Sequence, residues 1–283
     1  ADWYHIHGRL AWLLGIPLPS ALSHGDGHVP HGDRGMKSAS FALAGLLAVA
    51  SPAAADHGTG GPSEAAPFGA PVDDQHVWYH ALLDQFEGRF GSNNALHWEG
   101  EAWSGTDTNR IRFKSEGGIN DRGEADKGRY ELLYDRPITS FFDIQGGVRT
   151  DADSRAGRTW AAFGFEGLAP LFLHVSATGY ASSEGHFAGR LEGSYDLLLT
   201  QRLILQPQLE MNLYSKADSR RAIGAGLCCL DTGLRLRYEI TRKFAPYIGL
   251  ASERAFGDTA AMARQAGDPT SSIRFTFGIR AWL

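Results

Sequence analysis

With 283 residues, 43% of them hydrophobic and 11% aromatic, the chain can bury a large core, which excludes disorder throughout. A net charge of -5 and a pI near 6.1 exclude a dedicated nucleic-acid binder, which needs a basic face. Two cysteines cannot build a disulfide framework or a four-thiolate zinc site, and a mean hydropathy of -0.25 excludes a multi-span helical membrane protein. An outer-membrane barrel stays open, because barrel strands carry apolar residues only at alternate positions.

Residues 1–35 have no clear periodicity and no Met; His24, His28 and His31 stand there in a tract of metal-binding type. Met36-Lys37-Ser38 then precedes an apolar run, Phe41 to Ala50, and the small residues Ala53-Ala54-Ala55. A basic start, a short apolar stretch and an A-x-A site make residues 36–55 a secretory signal peptide, too short to span a bilayer as a helix. The order of features predicts Met36 as initiator, 1–35 as an upstream extension and Asp56 as the first mature residue. Residues 56–75, rich in Gly, Pro, Ala and acids, read as a flexible periplasmic tail.

From residue 76 to 283 apolar and polar residues alternate. Leu230, Thr232, Leu234, Leu236, Tyr238 and Ile240 share one parity; Asp231, Gly233, Arg235, Arg237 and Glu239 share the other. Period two segregates both sets, whereas a helix scatters the leucines. Leu203, Leu205, Leu209, Met211 and Leu213 likewise oppose Gln206, Gln208, Glu210 and Asn212. Ile111 and Phe113 oppose Arg112, Lys114 and Glu116; Tyr130, Leu132 and Tyr134 oppose Glu131 and Asp135; Phe187 and Leu191 oppose Arg190 and Glu192. Around 159–166 both parities carry aromatics and no face can be chosen.

Short turns such as 105–109, 135–137, 168–170, 200–202 and 241–243 alternate with longer stretches at 117–128, 150–157, 182–185, 215–226 and 257–269. The final run, Ile273 to Leu283, alternates as the closing strand of such barrels does. This rhythm predicts an all-β, transmembrane, antiparallel up-and-down barrel of about twelve strands with both termini periplasmic. A soluble β-sandwich also explains alternation, but not the signal peptide, the connection rhythm and the last strand together.

The polar parity, placed inward, lines a charged lumen. It holds Arg112, Lys114 and Glu116, then Glu131, Arg190, Glu192 and Glu210, then Arg235, Arg237 and Glu239. Such charges either fill a narrow barrel with salt bridges or line an ion path. His97 and His174 share the inward parity with Glu99 and Glu101, and His76 and His80 flank the start of the first strand. In extended chain His76 and His80 are roughly 13 Å apart, too far for one ion unless the segment bends. His76, His80, His97 and His174 near the periplasmic half, with Glu99 and Glu101, form a candidate Cu(II)-type ligand set of imidazole and oxygen. Cys228 and Cys229 point to opposite faces in a regular strand; they read either as small apolar residues or as a soft Cu(I) or redox site. No hydrolase triad, nucleophile elbow, P-loop or dinucleotide fingerprint occurs, and the chain reads as non-enzymatic.

Several strings resemble the copper resistance protein B family. They are Trp78-Tyr-His-Ala-Leu-Leu-Asp-Gln-Phe-Glu-Gly-Arg89, Trp98-Glu-Gly-Glu-Ala-Trp-Ser-Gly-Thr-Asp-Thr-Asn-Arg110, Lys114-Ser-Glu-Gly117, Gly167-Leu-Ala-Pro170, Gly233-Leu-Arg-Leu-Arg-Tyr-Glu-Ile240 and Phe244-Ala-Pro-Tyr247. The resemblance runs from about residue 72 to the C-terminus. It implies an outer-membrane barrel in copper tolerance, with copper ions as ligand or cargo and a periplasmic multicopper oxidase of the same system as partner. It also implies a Met/His-rich tail thought to bind copper. The tail here departs from that pattern: it holds only His57, and of the three Met only Met211 and Met262 follow the signal peptide. The function expected is copper binding or passage across the outer membrane; the alternative is a general small-solute pore or a plugged structural barrel.

Overall fold

The computed structural model describes residues 76–91, 94–123, 125–152 and 157–283. The expected extension at 1–35 with His24, His28 and His31, the signal peptide at 36–55 and the tail at 56–75 with His57 lie outside the described residues.

The chain forms one antiparallel meander. Its strands are β1 (Trp78–Phe90), β2 (Ala95–Gly105), β3 (Arg110–Asn120), β4 (Ala125–Pro137), β5 (Phe142–Asp151), β6 (Arg158–Ala169) and β7 (Leu173–Ser182). They continue as β8 (Phe187–Ser194), the two-residue β9 (Leu197–Leu198), β10 (Leu203–Tyr214), β11 (Gly226–Tyr238), β12 (Phe244–Ala255) and β13 (Ser271–Trp282). Both β8 and β9 pair with β10, so they make one stave with a gap at Tyr195-Asp196. The gap faces Pro207, which has no N–H to donate. β13 pairs with β1, setting Ile279 opposite Phe86 and Phe275 opposite Phe90, and so closes a ring of twelve staves.

Closure explains the alternation. Ile111, Leu132, Val148, Leu191, Leu234 and Ile248 are exposed on the outer wall, whereas Arg112, Glu131, Arg149, Arg190, Arg235 and Arg237 are buried inside. The ambiguous strand also resolves: in β6, Phe163 and Phe165 face out, and Trp160 and Ala162 are buried with Leu133 and Tyr180 in a small apolar cluster. The strand β1 breaks the rule through a bulge. Its register with β2 jumps from Leu83 opposite Gly100 to Gln85 opposite Glu99, leaving Asp84 extra. A bulge reverses parity beyond it. Leu82 and Asp84 therefore line the lumen cavity on one side of the bulge, and Gln85 and Glu87 beyond it also point inward, almost fully buried.

The ring has two unlike ends. The terminal end carries the start of β1, the end of β13 and the turns β2–β3, β4–β5, β6–β7, β9–β10 and β11–β12. The loop end carries the rest. The loop expected over 117–128 is mostly strand, since β3 runs to Asn120 and β4 starts at Ala125. The stretch expected as a polar loop at 257–269 contains a helix, α1 (Gly257–Ala266), ended by Gly267 in the left-handed conformation at φ 80°.

The wall assignment yields a direct test. Leu234→Arg places a guanidinium on the outer face and should destabilise the folded barrel by about 2–4 kcal/mol near the bilayer midplane. Ser176→Arg faces the carboxyl-lined cavity and should be tolerated. Urea unfolding in lipid vesicles checks this; equal losses would contradict the assignment.

Candidate functional site: a charged lumen

The lumen is crossed by ion pairs. Arg190 on β8 reaches Glu116 on β3, five staves round the ring, at 2.7 Å, and also Glu192 at 2.5 Å and Glu210 at 2.9 Å. Arg129 on β4 joins the same group through Glu116 at 3.2 Å. A second group lies nearer the terminal end, where Arg112 meets Asp135 at 2.7 Å, Glu166 at 2.8 Å and Glu101 at 3.1 Å. Lys114 adds a 2.5 Å contact to Glu166, three staves away.

The third group ties β1 to β11 and β12 across the closing strand β13. Glu87, with a side chain 0% exposed, accepts two 3.0 Å hydrogen bonds from Arg235, one of 2.8 Å from Arg89 and one of 2.9 Å from the Tyr247 hydroxyl. Arg235 also donates to Gln85 at 2.6 Å and to Gln208 at 2.7 Å. Arg237 pairs with Asp196 at 2.9 Å, and Arg280 with Asp84 at 2.6 Å. Tyr180 donates to Glu131 at 2.9 Å while the Arg149 guanidinium sits 4.5 Å over its ring. Low dielectric makes an unpaired charge expensive, so the buried guanidiniums are matched: Arg112 and Arg190 each meet carboxylates from several staves, and Arg149, Arg235 and Arg237 each meet one, on Asp151, Glu87 and Asp196.

Between these groups lies a cavity of about 350 Å³. Eight carboxyl side chains and four basic ones line it. The carboxyl groups include Glu99, Glu101, Glu116, Glu131, Glu166 and Glu192. Its surplus of carboxylates suits a cation.

The structure does not assemble the predicted metal ligands. Among the described residues no three His, Cys, Asp or Glu side chains form a metal-holding group. The β1–β2 hairpin is the reason. His80 lies opposite Trp103 at the terminal end, while His97 lies opposite Glu87 six residues further along β2, roughly 20 Å away at strand rise. His97 is thus in the loop half, not beside His76 and His80. Those two pack among indoles: His76 lies 4.3 Å from the Trp78 ring, and His80 lies 5.6 Å from Trp282 and 6.0 Å from Trp103. Glu101 is held by Arg112 and Glu99 accepts from Gln85 at 2.7 Å; both line the cavity, as does His174.

Of the predicted lumen charges, Glu239 lies elsewhere. β11 ends at Tyr238, and Glu239 pairs with Arg242 in the terminal-end turn. The cysteines are corrected too. The β10–β11 register jumps from Asn212 opposite Cys229 to Leu213 opposite Leu227, leaving Cys228 extra. That bulge cancels the alternation, and Cys228 and Cys229 are joined as a disulfide. In this form they offer no thiolate for soft Cu(I). Sequence reasoning missed Glu87, Glu166 and Arg129. A bulge hid the first and the unassigned strand hid the second. Arg129 was legible, lying two residues before Glu131 on the same face.

These features define a class: a closed transmembrane-type β-barrel with an apolar wall and an ion-paired, acid-rich interior. The family described as copper resistance protein B precursor matches residues 77–283. The chain is 43% identical over 216 residues to "Copper resistance protein B" of Escherichia coli, covering 76% of this chain and 73% of that protein. It is 39% identical over 216 residues to "Copper resistance protein B homolog" of Pseudomonas syringae pv. tomato, with the same coverage of 76% and 73%. The chain belongs to the copper resistance protein B family. Among solved structures it is similar to the NanC porin, with TM-score 0.47, 14% identity and coverage of 72% of this chain and 99% of that one. It is also similar to the KdgM porin, with TM-score 0.42, 10% identity and coverage of 71% and 98%.

The Glu87–Arg235 pair supplies a stability test. Glu87→Ala leaves a buried guanidinium without its main partner and should destabilise by about 3–5 kcal/mol, whereas the double change Glu87→Met with Arg235→Met should cost much less. Unfolding midpoints in one detergent compare the two; equal losses would contradict the pairing.

Proposed function

We propose that this protein is a non-enzymatic barrel of the outer membrane that admits copper ions into its acid-rich lumen chamber. The observation that carries the reading is the chamber itself, with twice as many carboxyl as basic side chains around about 350 Å³, in a chain of the copper resistance protein B family. Residues 36–55 direct export and are removed, and the terminal end faces the periplasm, where a multicopper oxidase of the same system acts. Copper is cargo, met by carboxylates rather than by a preassembled histidine cage. The ion pairs that cross the lumen favour a second reading, a plugged barrel whose charges serve stability alone.

Copper tolerance separates the two. In a strain dependent on the protein, Glu99→Gln with Glu192→Gln should lower copper tolerance toward that of the deletion strain and leave zinc tolerance unchanged. Replacing His76, His80 and His97 together by Ala should leave copper tolerance unchanged. Full copper tolerance in the glutamine variant, at normal outer-membrane levels, would overturn the chamber reading and favour the plug.

A further inference from the structure

The exposed charges differ between the two ends of the ring. At the terminal end four basic side chains are exposed: Arg136 near the end of β4, Arg202 before β10, and Arg242 and Lys243 between β11 and β12. Among the described residues a single acidic side chain, Asp107 between β2 and β3, is exposed there. At the loop end the exposed charges of the described residues balance: Arg122, Lys216, Arg254 and Arg264 stand with Asp121, Glu184, Asp258 and Asp268. Arg242 pairs with Glu239 at 3.2 Å, yet its side chain stays 79% exposed.

The surroundings of these bases decide what they meet. Exposed apolar side chains ring the same end: Trp78 and Tyr79 on β1, Ile138 after β4, Leu171 before β7, Leu198 on β9 and Ile240 after β11. The bases are interleaved with them. Arg136 stands between Tyr134 and Ile138, Arg202 follows Leu198 and Leu199, and Arg242 and Lys243 lie between Ile240 and Phe244. The Lys243 ammonium sits 5.2 Å over the Trp282 ring.

This mixture suits the headgroup level of a bilayer. The stems of Arg and Lys rest on apolar surface while their cationic ends reach the phosphates, and indole rings sit at the same depth. A soluble acidic protein would have to cover the apolar groups as well as the bases, and those groups continue the outer wall. Four bases against one acid favour a headgroup of net negative charge over a zwitterionic one, whose ammonium offsets its phosphate.

We infer that the terminal rim is a collar that selects phospholipids of net negative headgroup through Arg136, Arg202, Arg242 and Lys243. This inference rests on the proposed membrane location of the wall.

Lipid spin labelling tests it. The full chain is reconstituted in phosphatidylcholine vesicles that carry a trace of phosphatidylglycerol or phosphatidylcholine, nitroxide-labelled near the end of one acyl chain. The motionally restricted fraction of each label gives its relative association with the barrel. Phosphatidylglycerol should associate about fivefold more strongly at low salt, the scale of one basic side chain near an anionic surface, and the preference should fall as salt is raised. Changing Arg136, Arg202, Arg242 and Lys243 together to Gln should abolish it. Changing Arg122, Arg254 and Arg264 at the loop end to Gln should not. Equal association of the two lipids with the unmodified chain would overturn the lipid collar and leave the bases to an acidic protein partner. A preference that survives the rim changes, or is lost with the loop-end ones, would also overturn it. No restricted lipid with either label would overturn the membrane location itself. If the fourfold variant fails to fold, Arg136→Gln with Arg202→Gln carries the test and should weaken the preference.

Discussion

Because β13 hydrogen-bonds back onto β1, the sheet has no free edge, and each strand side chain faces either the wall or the lumen. A closed twelve-stave ring gives inward side chains too little room to remain fully hydrated. Charges placed there must meet partners across the bore. Arg190 with Glu116, Lys114 with Glu166 and Arg235 with Glu87 are consequences of closure, linking staves far apart in sequence. The same pairs brace the ring, so the polar interior does in this protein what an apolar core does in a soluble domain.

The bracing also shapes the chamber. Guanidinium groups fix the positions of Glu101, Glu116, Glu166 and Glu192, yet carboxyl groups outnumber bases around the cavity. A cation entering it meets oxygen ligands already held in place. Under the proposed function that cation is copper, in keeping with the copper resistance protein B family to which the chain belongs.

The fold was largely legible because period two is a strong signal when lipid faces one side and charge the other. Leu234 against Arg235, or Leu132 against Glu131, needs no further information. What escaped were local breaks in that period. The bulge at Asp84 hid Glu87, the best-connected carboxylate of the interior, and the bulge at Cys228 turned two cysteines expected on opposite faces into a bonded pair. The helix α1 is hidden from period-two reasoning, which treats 257–269 only as a connection between strands. Its Thr-Ala-Ala-Met-Ala-Arg-Gln-Ala run and following Gly267 are good helix and cap residues. The predicted metal ligands are kept apart for a topological reason: parity shows that His97 and Glu99 face inward, but only the hairpin register shows that His80 and His97 lie at opposite ends.

The interior is a narrow, ion-paired chamber with a surplus of carboxyl groups. The reversal potential of the purified full-length barrel in a planar bilayer, under a potassium chloride gradient, tests it most directly. A small conductance with a reversal potential of the sign for cation selectivity is expected. A large, unselective conductance, or one selective for anions, would contradict it.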